Sequence, residues 1–327
     1  MIKLVIDMLG GDNGIDVTIG GVKLFLKDHN DVSLILVGDE EKLLEFKDNP
    51  NVKIIHATEV LSMECSVMEA MRNKESSINK AVYALKEYEG DAIISAGSTG
   101  AFLSLTTLII KKIDGVSRPA LITPFPTKVE GKYVILLDVG ASAENTAEEL
   151  YQFAKMGSAY YSVKFNEKEP KVYLISNGSE EGKGTPILKE TYAMLKDDKN
   201  FKGYIEGRYV FNGDADVVVF DGFTGNVFLK TSEGMAKMMS GFIREAFMSN
   251  LGTKIGYLFA KKGFDDLSKK MDYKKVGGAL LLGVNTVAVK AHGNSTDDSF
   301  YHSMCLAYDL AKEDIVNKIK TTLKKGE

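Results

Sequence analysis

Only two cysteines, six prolines and four histidines occur among 327 residues, and no apolar stretch approaches membrane-spanning length. Cys65 and Cys305 show no metal or redox spacing, so a reducing cytoplasm is the economical setting for two bystander thiols. The longest candidate span, AFLSLTTLII (101–110), is about half of the roughly 18–20 residues a bilayer crossing needs, which leaves surface contact as the only membrane option. The N-terminal MIKLVIDMLGG meets Asp7 too soon for a secretory apolar region and reads as a first strand. The prolines are scattered, no Pro/Ser-rich linker or low-complexity segment divides the chain, and no internal repeat is present. Residues 1–327 therefore read as one two-lobed α/β unit.

What is present is ordinary globular material. At 44% hydrophobic and 26% charged residues the chain buries a large core. A net charge of −4 and a pI near 5.8 argue against nucleic-acid binding by the whole protein.

Strand-like runs at 2–6, 34–37, 52–55, 92–94, 134–137, 172–175, 217–220 and 287–289 alternate with helical periods. That alternation predicts a three-layer, Rossmann-like parallel or mixed sheet with helices on both faces. Ligands in such sheets sit beyond the C-terminal strand ends. Here those ends carry IDMLGGDNG, ISAGSTG, LLDVGAS, ISNGSEEGKG, FDGFTGN and VKAHGNS, six polar glycine-bearing turns able to converge on one cleft.

The most informative of them follows Val217, Val218, Val219 and Phe220. Asp221-Gly222-Phe223-Thr224-Gly225-Asn226 supplies flexible backbone, N–H groups and a helix N-terminus, the combination that binds anions. Lys230 lies one helical turn beyond Asn226 and reaches the same mouth. A purely structural strand–turn–helix connection accounts for the same pattern.

Residues 233–272 break the alternation. Met235, Met238, Met239, Phe242, Ile243, Ala246 and Phe247 form one apolar helical stripe, and after Asn250 and Gly252, Leu251, Ile255, Leu258 and Phe259 belong to a second. A helical hairpin is expected, its stripes buried against the sheet or a second subunit. Between Leu251 and Lys275 seven lysines, Lys261 and Lys262 among them, face three aspartates, a local +4 that suits an anionic membrane surface or an acidic protein. Solvated lysines on exposed helix faces explain it equally.

Familiar catalytic signatures fail in detail. Residues 177–184 resemble a Walker A loop, but Asn177 replaces the first glycine and Gly184 the Mg²⁺-binding Ser/Thr. Lys183 still presents an ammonium from a flexible loop. Gly10-Gly11-Asp12-Asn13-Gly14 has the wrong spacing for a dinucleotide fingerprint. Ala96-Gly97-Ser98-Thr99-Gly100 lacks the leading glycine of a nucleophile elbow, so Ser98 reads as a helix N-cap or a ligand hydroxyl. No zinc-binding His-Glu-x-x-His occurs. His292 stands out at a strand end, placed either to contact phosphate and shuttle protons or simply to bond within its turn. His29, His56 and His302 read as structural or solvated.

Taken together, IDMLGGD (6–12), SAGSTGA (95–101), RPAL (118–121), LLDVGAS (136–142), EEGKG (180–184), IEGR (205–208), DVVVFDGFTGNVFLK (216–230), GGALLLGV (277–284) and AHGNS (291–295) resemble the bacterial phosphate acyltransferase family, also called PlsX. Its members move an acyl group from acyl carrier protein to phosphate at the entry to phospholipid synthesis. The match runs collinearly along nearly the whole chain. Departures fall at Met8-Leu9, Ser98, Ala141-Ser142-Ala143-Glu144 and Thr185, where Ser98, Ser142 and Thr185 keep hydrogen-bonding capacity without amide geometry. The resemblance implies a fold like that of the isocitrate and isopropylmalate dehydrogenases, a homodimer, acyl carrier protein and inorganic phosphate as partners, and a cytoplasmic enzyme peripheral to the inner face of the membrane. Short-chain phosphotransacetylase activity, or an idle scaffold for lipid-synthesis enzymes, are the alternatives.

For acyl transfer from a thioester to phosphate, both reactants are already activated, so no cofactor, metal or catalytic cysteine is required. Positioning and oxyanion stabilisation remain. On this reading Lys183 and the turn of Gly97, Ser98, Thr99 and Gly100 hold phosphate, while Asn226 with the Gly225 and Asn226 amides stabilises the oxyanion. Lys230, Arg208 and His292 contact phosphate or protonate the departing thiolate, and Asp12, Asp138 and Asp221 orient turns. Leu258, Phe259, Lys261 and Lys262 meet lipid or carrier protein.

Overall fold

Short runs of β-branched residues and leucine that are apolar at every position need cover on both faces. The computed structural model, which describes residues 1–271 and 277–325, supplies that cover. Its strands are β1 (Ile2–Asp7), β2 (Val32–Gly38), β3 (Val52–His56), β4 (Ala92–Ser95), β5 (Ala120–Pro126), β6 (Tyr133–Leu137), β7 (Val172–Ile175), β8 (Phe201–Ile205), β9 (Val217–Val219), β10 (Ala279–Leu282) and β11 (Val287–Lys290). Along β1, Leu4 and Ile6 join one core while Val5 joins the other. This is the period-two division that puts a helical layer on each side of the sheet.

The sheet order is β3-β2-β1-β4-β11-β10-β5-β6-β9-β7-β8. Neighbours are parallel except at the centre, where β10 runs antiparallel to β11 and β5, and β5 antiparallel to β6. The two outer blocks therefore run in opposite directions. Register then decides where they end. Ile6, Ile94, Val289, Leu280, Ile122 and Leu137 follow one another across a single row. Leu137 is the last residue of β6, and the row lies one residue short of the ends of β1, β4 and β11. The C-terminal ends of two opposed blocks thus meet at nearly one level, and their turns face a common cleft.

All eight strands expected from sequence form. The three missed have recognisable reasons: β5 contains Pro124 and Pro126, β8 contains Gly203 at φ +98°, and β10 is a four-residue run after two glycines. Pro124 and Pro126 pair with β6 alone, beyond the stretch of β5 that β10 covers, so neither interrupts a two-sided ladder.

The helices are α1 (Ile15–Asp28), α2 (Val67–Arg72), α3 (Ser77–Glu87), α4 (Thr99–Ile109), α5 (Ala147–Phe165), α6 (Pro186–Leu195), α7 (Gly222–Met248), α8 (Leu251–Met271), α9 (Asp297–Lys312) and α10 (Ile315–Lys325), and two of them shape the cleft. α4 (Thr99–Ile109) starts directly after the β4 turn, capped by Ser98. α7 (Gly222–Met248) starts after β9 and is continuous for 27 residues, about 40 Å. Its first turn is pressed onto the end of β6. A Cβ on Gly222 would overlap the Ser142 carbonyl oxygen, and one on Gly225 the Asp138 carbonyl oxygen. Only Gly222, Gly225 and Leu229 of this helix are buried.

Beyond that anchor α7 leaves the body and pairs with α8 (Leu251–Met271) across a turn at Ser249 and Asn250, whose side chain accepts from the Thr253 amide at 3.0 Å. The hairpin starts at Gly222, earlier than residue 233, and its own contact is the cluster Phe247, Tyr257 and Phe264. Met235, Met238, Met239 and Phe242 are exposed, so the expected burial of this stripe against the sheet does not occur. Periodicity marks an apolar face without saying what covers it. Asp272, Lys274 and Lys275 of the basic patch lie outside the described residues, as do the side chains of Asp265, Asp266, Lys269 and Lys270.

If the Gly225 contact seats α7, Gly225→Ala destabilises the protein by about 1–3 kcal/mol through overpacking. Gly241→Ala, with nothing within 4 Å of the added methyl, is neutral or stabilising by up to about 1 kcal/mol. Denaturant unfolding distinguishes them, and equal effects at both positions would mean that the contact does not hold the helix.

Candidate functional site

Asp7, Ser95 and Lys290 lie side by side at the ends of β1, β4 and β11. Asp7 is buried and accepts from the Ser95 hydroxyl at 2.7 Å. Burial pushes its carboxyl above the usual range, against the opposing effect of hydrogen bonds from Ser95, Ser77 and the Leu9 and Gly10 amides. Lys290 is 7% exposed, and its ammonium donates to the Ala96 and Ala291 carbonyls. Burial lowers its pKa from 10.5 to about 8, opposed by Asp7 and Asp12 and reinforced by Lys230. Keeping that ammonium charged at neutral pH costs about 3 kcal/mol. A fold retains a cost of that size at functional sites more often than elsewhere.

Lys290 lines a cavity of 370 Å³ between the two blocks. Thr99 enters it from the first turn of α4, whose leading amides have no intrahelical acceptor. His292 and Gly293 enter from the turn after β11, and Asn226, Lys230 and Glu233 from α7. Leu121, Phe125 and Leu229 supply an apolar wall. One carboxylate stands between two of these groups: Lys230 donates to Glu233 Oε2 at 3.0 Å, and His292 Nε2 stands 3.9 Å from Glu233 Oε1. Two ammoniums, an imidazole, a carboxamide and helix-terminal amides around an apolar wall suit an anion joined to an apolar group.

The rim opposite is set by Asp138. Its buried carboxylate accepts from the amides of Leu121, Gly140, Ala141 and Ser142 and from the Ser142 hydroxyl at 2.8–3.1 Å. Burial raises its pKa even so. Gly140, at φ +123°, lets the chain pass beneath Asn226, whose Cγ would lie 3.2 Å from a Cβ there.

Asn226, Lys230, His292 and Thr99 are brought together as the sequence suggests. Asp138 and Asp221 orient turns, and Asp12 ties its turn to the β11 end by an amide bond to the Gly293 carbonyl at 2.7 Å. Ser98 caps α4 and donates to the Met63 carbonyl at 3.2 Å. Gly97 is buried, its amide on Ser95 Oγ at 3.0 Å. Gly100 is exposed in the first turn of α4 without lining the cavity.

The DGFTGN turn itself is not an open anion nest. The Gly222 amide donates to Asn145 Oδ1, the Thr224 amide to Asp221 Oδ1, and the Gly225 amide to the Asp221 carbonyl, at 2.8–3.0 Å. The Gly225 amide is therefore spent on the helix. This segment contributes its Asn226 and Lys230 side chains to the cavity.

Lys183 and Arg208 do not line the cavity either. Lys183 is exposed on the loop after β7, its amide bonded to the Glu180 carbonyl at 2.9 Å. Arg208 is 68% exposed, paired with Glu206 at 2.9 Å and stacked on Tyr209.

Lys290 and Glu233 escape a reading by motif. The signal for Lys290 was a lysine ending a strand otherwise buried at every position. For Glu233 it was a carboxylate four residues after Leu229 on the inward face of α7.

A larger cavity of 510 Å³ lies elsewhere, beside α5 (Ala147–Phe165) and α10 (Ile315–Lys325). Its lysines are already paired, Lys155 with Asp198 at 2.9 Å and Lys199 with Glu169 at 3.0 Å. It gathers no strand ends, so the smaller cavity is the better candidate.

The chain is similar to known proteins in sequence and in fold. A phosphate acyltransferase of a Nitratiruptor species is 40% identical over 99% of this chain and 98% of its own length. A branched-chain phosphotransacylase from Enterococcus faecalis V583 shares the fold at a TM-score of 0.59 and 15% identity, over 95% of this chain and 99% of that one. Isocitrate dehydrogenase from Methylococcus capsulatus does so at 0.50 and 10% identity, over 97% and 88%. The family model described as fatty acid synthesis protein matches residues 2–318, and the chain belongs to that family.

Proposed function

We propose that this protein transfers a long-chain fatty acyl group from acyl carrier protein to inorganic phosphate, giving acyl-phosphate for phospholipid synthesis. The observation that carries it is the buried Lys290 ammonium at a cavity that pairs cations with an apolar wall, in a chain 40% identical to a phosphate acyltransferase.

In this reading phosphate rests among Lys230, Lys290, His292 and the first amides of α4. The two ammoniums offset its charge and fix one oxygen toward the thioester carbonyl. As the P–O–C bond forms, the carboxamide of Asn226 donates to the developing oxyanion. Collapse breaks the C–S bond, and sulfur leaves with the electron pair and takes up the proton that phosphate loses. Lys183 and Arg208 reach the bound anion in this reading only if their loops fold over it, so loss of turnover in Lys183→Ala is expected and unchanged turnover would remove Lys183 from the mechanism. The acyl chain lies along Leu121, Phe125 and Leu229.

The hairpin is assigned to the partners. Leu258 and Phe259 are 70% and 89% exposed, next to the exposed Lys261 and Lys262. Apolar side chains flanked by ammoniums suit an anionic surface, lipid or acidic carrier protein. Among the described residues no helix is long and apolar enough to cross a membrane. A cytoplasmic homodimer held peripherally at the inner face, with the Met235–Phe242 stripe packed on the second copy, fits these features.

Incubation with long-chain acyl carrier protein, acyl-coenzyme A and acetyl-coenzyme A, with and without phosphate, followed by hydroxylamine trapping, tests the reaction. Phosphate-dependent product from the long-chain carrier donor is expected. Product from acetyl-coenzyme A alone would make the protein a phosphotransacetylase, and none from any donor would leave a scaffold. The pH profile tests Lys290. A lysine with a lowered pKa keeps its charge below about pH 8 and loses it above, so kcat/KM falls as pH rises through that value. Lys290→Arg moves the fall upward, whereas an unmoved profile would exclude Lys290 as its source.

Leu258→Glu and Phe259→Glu are expected to abolish flotation with anionic vesicles. Sedimentation of the same variants separates lost lipid binding from a lost dimer, and unchanged flotation would exclude the hairpin tip as the contact.

A further inference from the structure

One carboxylate in the cavity has no task in the chemistry above. Gly225, Leu229 and Glu233 follow one another at four-residue spacing along the inward face of α7. The Glu233 side chain is only 12% exposed. Oε2 accepts from Lys230 at 3.0 Å. Oε1 is buried, forms no hydrogen bond among the described residues, and stands 3.9 Å from His292 Nε2.

That distance exceeds a hydrogen bond by about 1 Å. Catalytic hydrogen bonds are often long in the empty enzyme and tighten when substrate binds. A buried acceptor left without a donor forfeits its solvation without return, and closure on the ring would relieve that cost. Lys230 alone does not explain the arrangement, because one oxygen satisfies it.

We propose that Glu233 is a positioning residue for the acyl transfer, orienting the His292 ring and favouring its protonated form. The inference rests on the reading of the site as a phosphate acyltransferase. HPO₄²⁻ loses one proton as its oxygen bonds the acyl carbon, and sulfur gains one as it leaves with the C–S electron pair. A protonated His292 that gives its proton to sulfur recovers one from phosphate, so the ring ends as it began. The carboxylate beside it stabilises the charged form between the two transfers, the task of the third member in a nucleophile–base–orienter arrangement.

The charged groups that share the cavity with the ring among the described residues are Glu233 and Lys230 from α7 and Lys290 from β11, and Asp12 of the turn after β1 stands beside the adjoining Gly293. Both lysines oppose protonation of the ring and both carboxylates favour it, so loss of the nearer carboxylate shifts the balance in a known direction.

Glu233→Gln keeps the shape and removes the charge. It is expected to lower kcat about 10-fold or more, and to have little further effect in a His292→Gln background. Additive losses in the two backgrounds would overturn the proposal. Independently of substrate, ¹⁵N-histidine NMR of the full chain follows the His292 ring, assigned by its loss in His292→Gln. Its titration midpoint is expected to fall in Glu233→Gln and to recover in Glu233→Asp, which keeps the charge one methylene short. An unchanged midpoint in Glu233→Gln would overturn the pairing. If Glu233→Gln fails to fold, Glu233→Asp decides: a midpoint below that of the unsubstituted protein with reduced turnover supports the proposal, and full turnover overturns it. If the unsubstituted protein makes no acyl-phosphate from any donor, the functional reading fails and the NMR result alone decides on the Glu233–His292 pair.

Discussion

The antiparallel pair β10 and β5 is the constraint on which the rest depends. A doubly wound sheet of one direction presents all its C-terminal ends along one edge. Here the reversal sends two parallel blocks opposite ways, and the register that aligns Leu137 with Ile122, Leu280, Val289 and Ile94 brings their ends back to one level. A cavity enclosed by turns from both blocks follows from that register. One slip of two residues in β10 would separate Lys290 and His292 from Asn226 and Lys230.

The blocks also divide the chemistry. β1, β4 and β11 contribute the buried Asp7–Ser95–Lys290 row, fixed by neighbours in the sheet, and α4, which follows β4, contributes Thr99. α7 contributes Asn226, Lys230 and Glu233, seated on the opposite block through close contact of Gly222 and Gly225 with the loop that Asp138 gathers. The same helix continues about 40 Å to the exposed hairpin. One continuous helix therefore links the exposed hairpin with the cavity.

Much of this was legible in the sequence, for reasons that can be named. Buried strands announce themselves because every position is apolar, and the turns after them because glycine, Asn and Asp have few other uses in such numbers. Asn226, Lys230 and His292 line one cavity, as their place at those ends suggests. The open nest expected at DGFTGN does not form, because its amides are occupied by Asp221 and by Asn145, a partner 77 positions away that no local pattern connects to Gly222. Lys290 was passed over because a lysine after a buried strand reads as solvated until its neighbours are known. The hairpin stripe was expected to pack on the sheet or on a second subunit, and only the first is excluded, since an amphipathic period cannot tell a packed face from an uncovered one. β5, with its two prolines, was hidden by a rule that applies to strands paired on both sides.

Titration calorimetry of inorganic phosphate, comparing the unsubstituted protein with Lys290→Met and with Lys155→Met in the larger cavity, tests most directly where the anion binds. Binding lost in Lys290→Met and retained in Lys155→Met is expected. Binding retained in Lys290→Met and lost in Lys155→Met would place the anion outside the cleft between the two blocks and contradict the account.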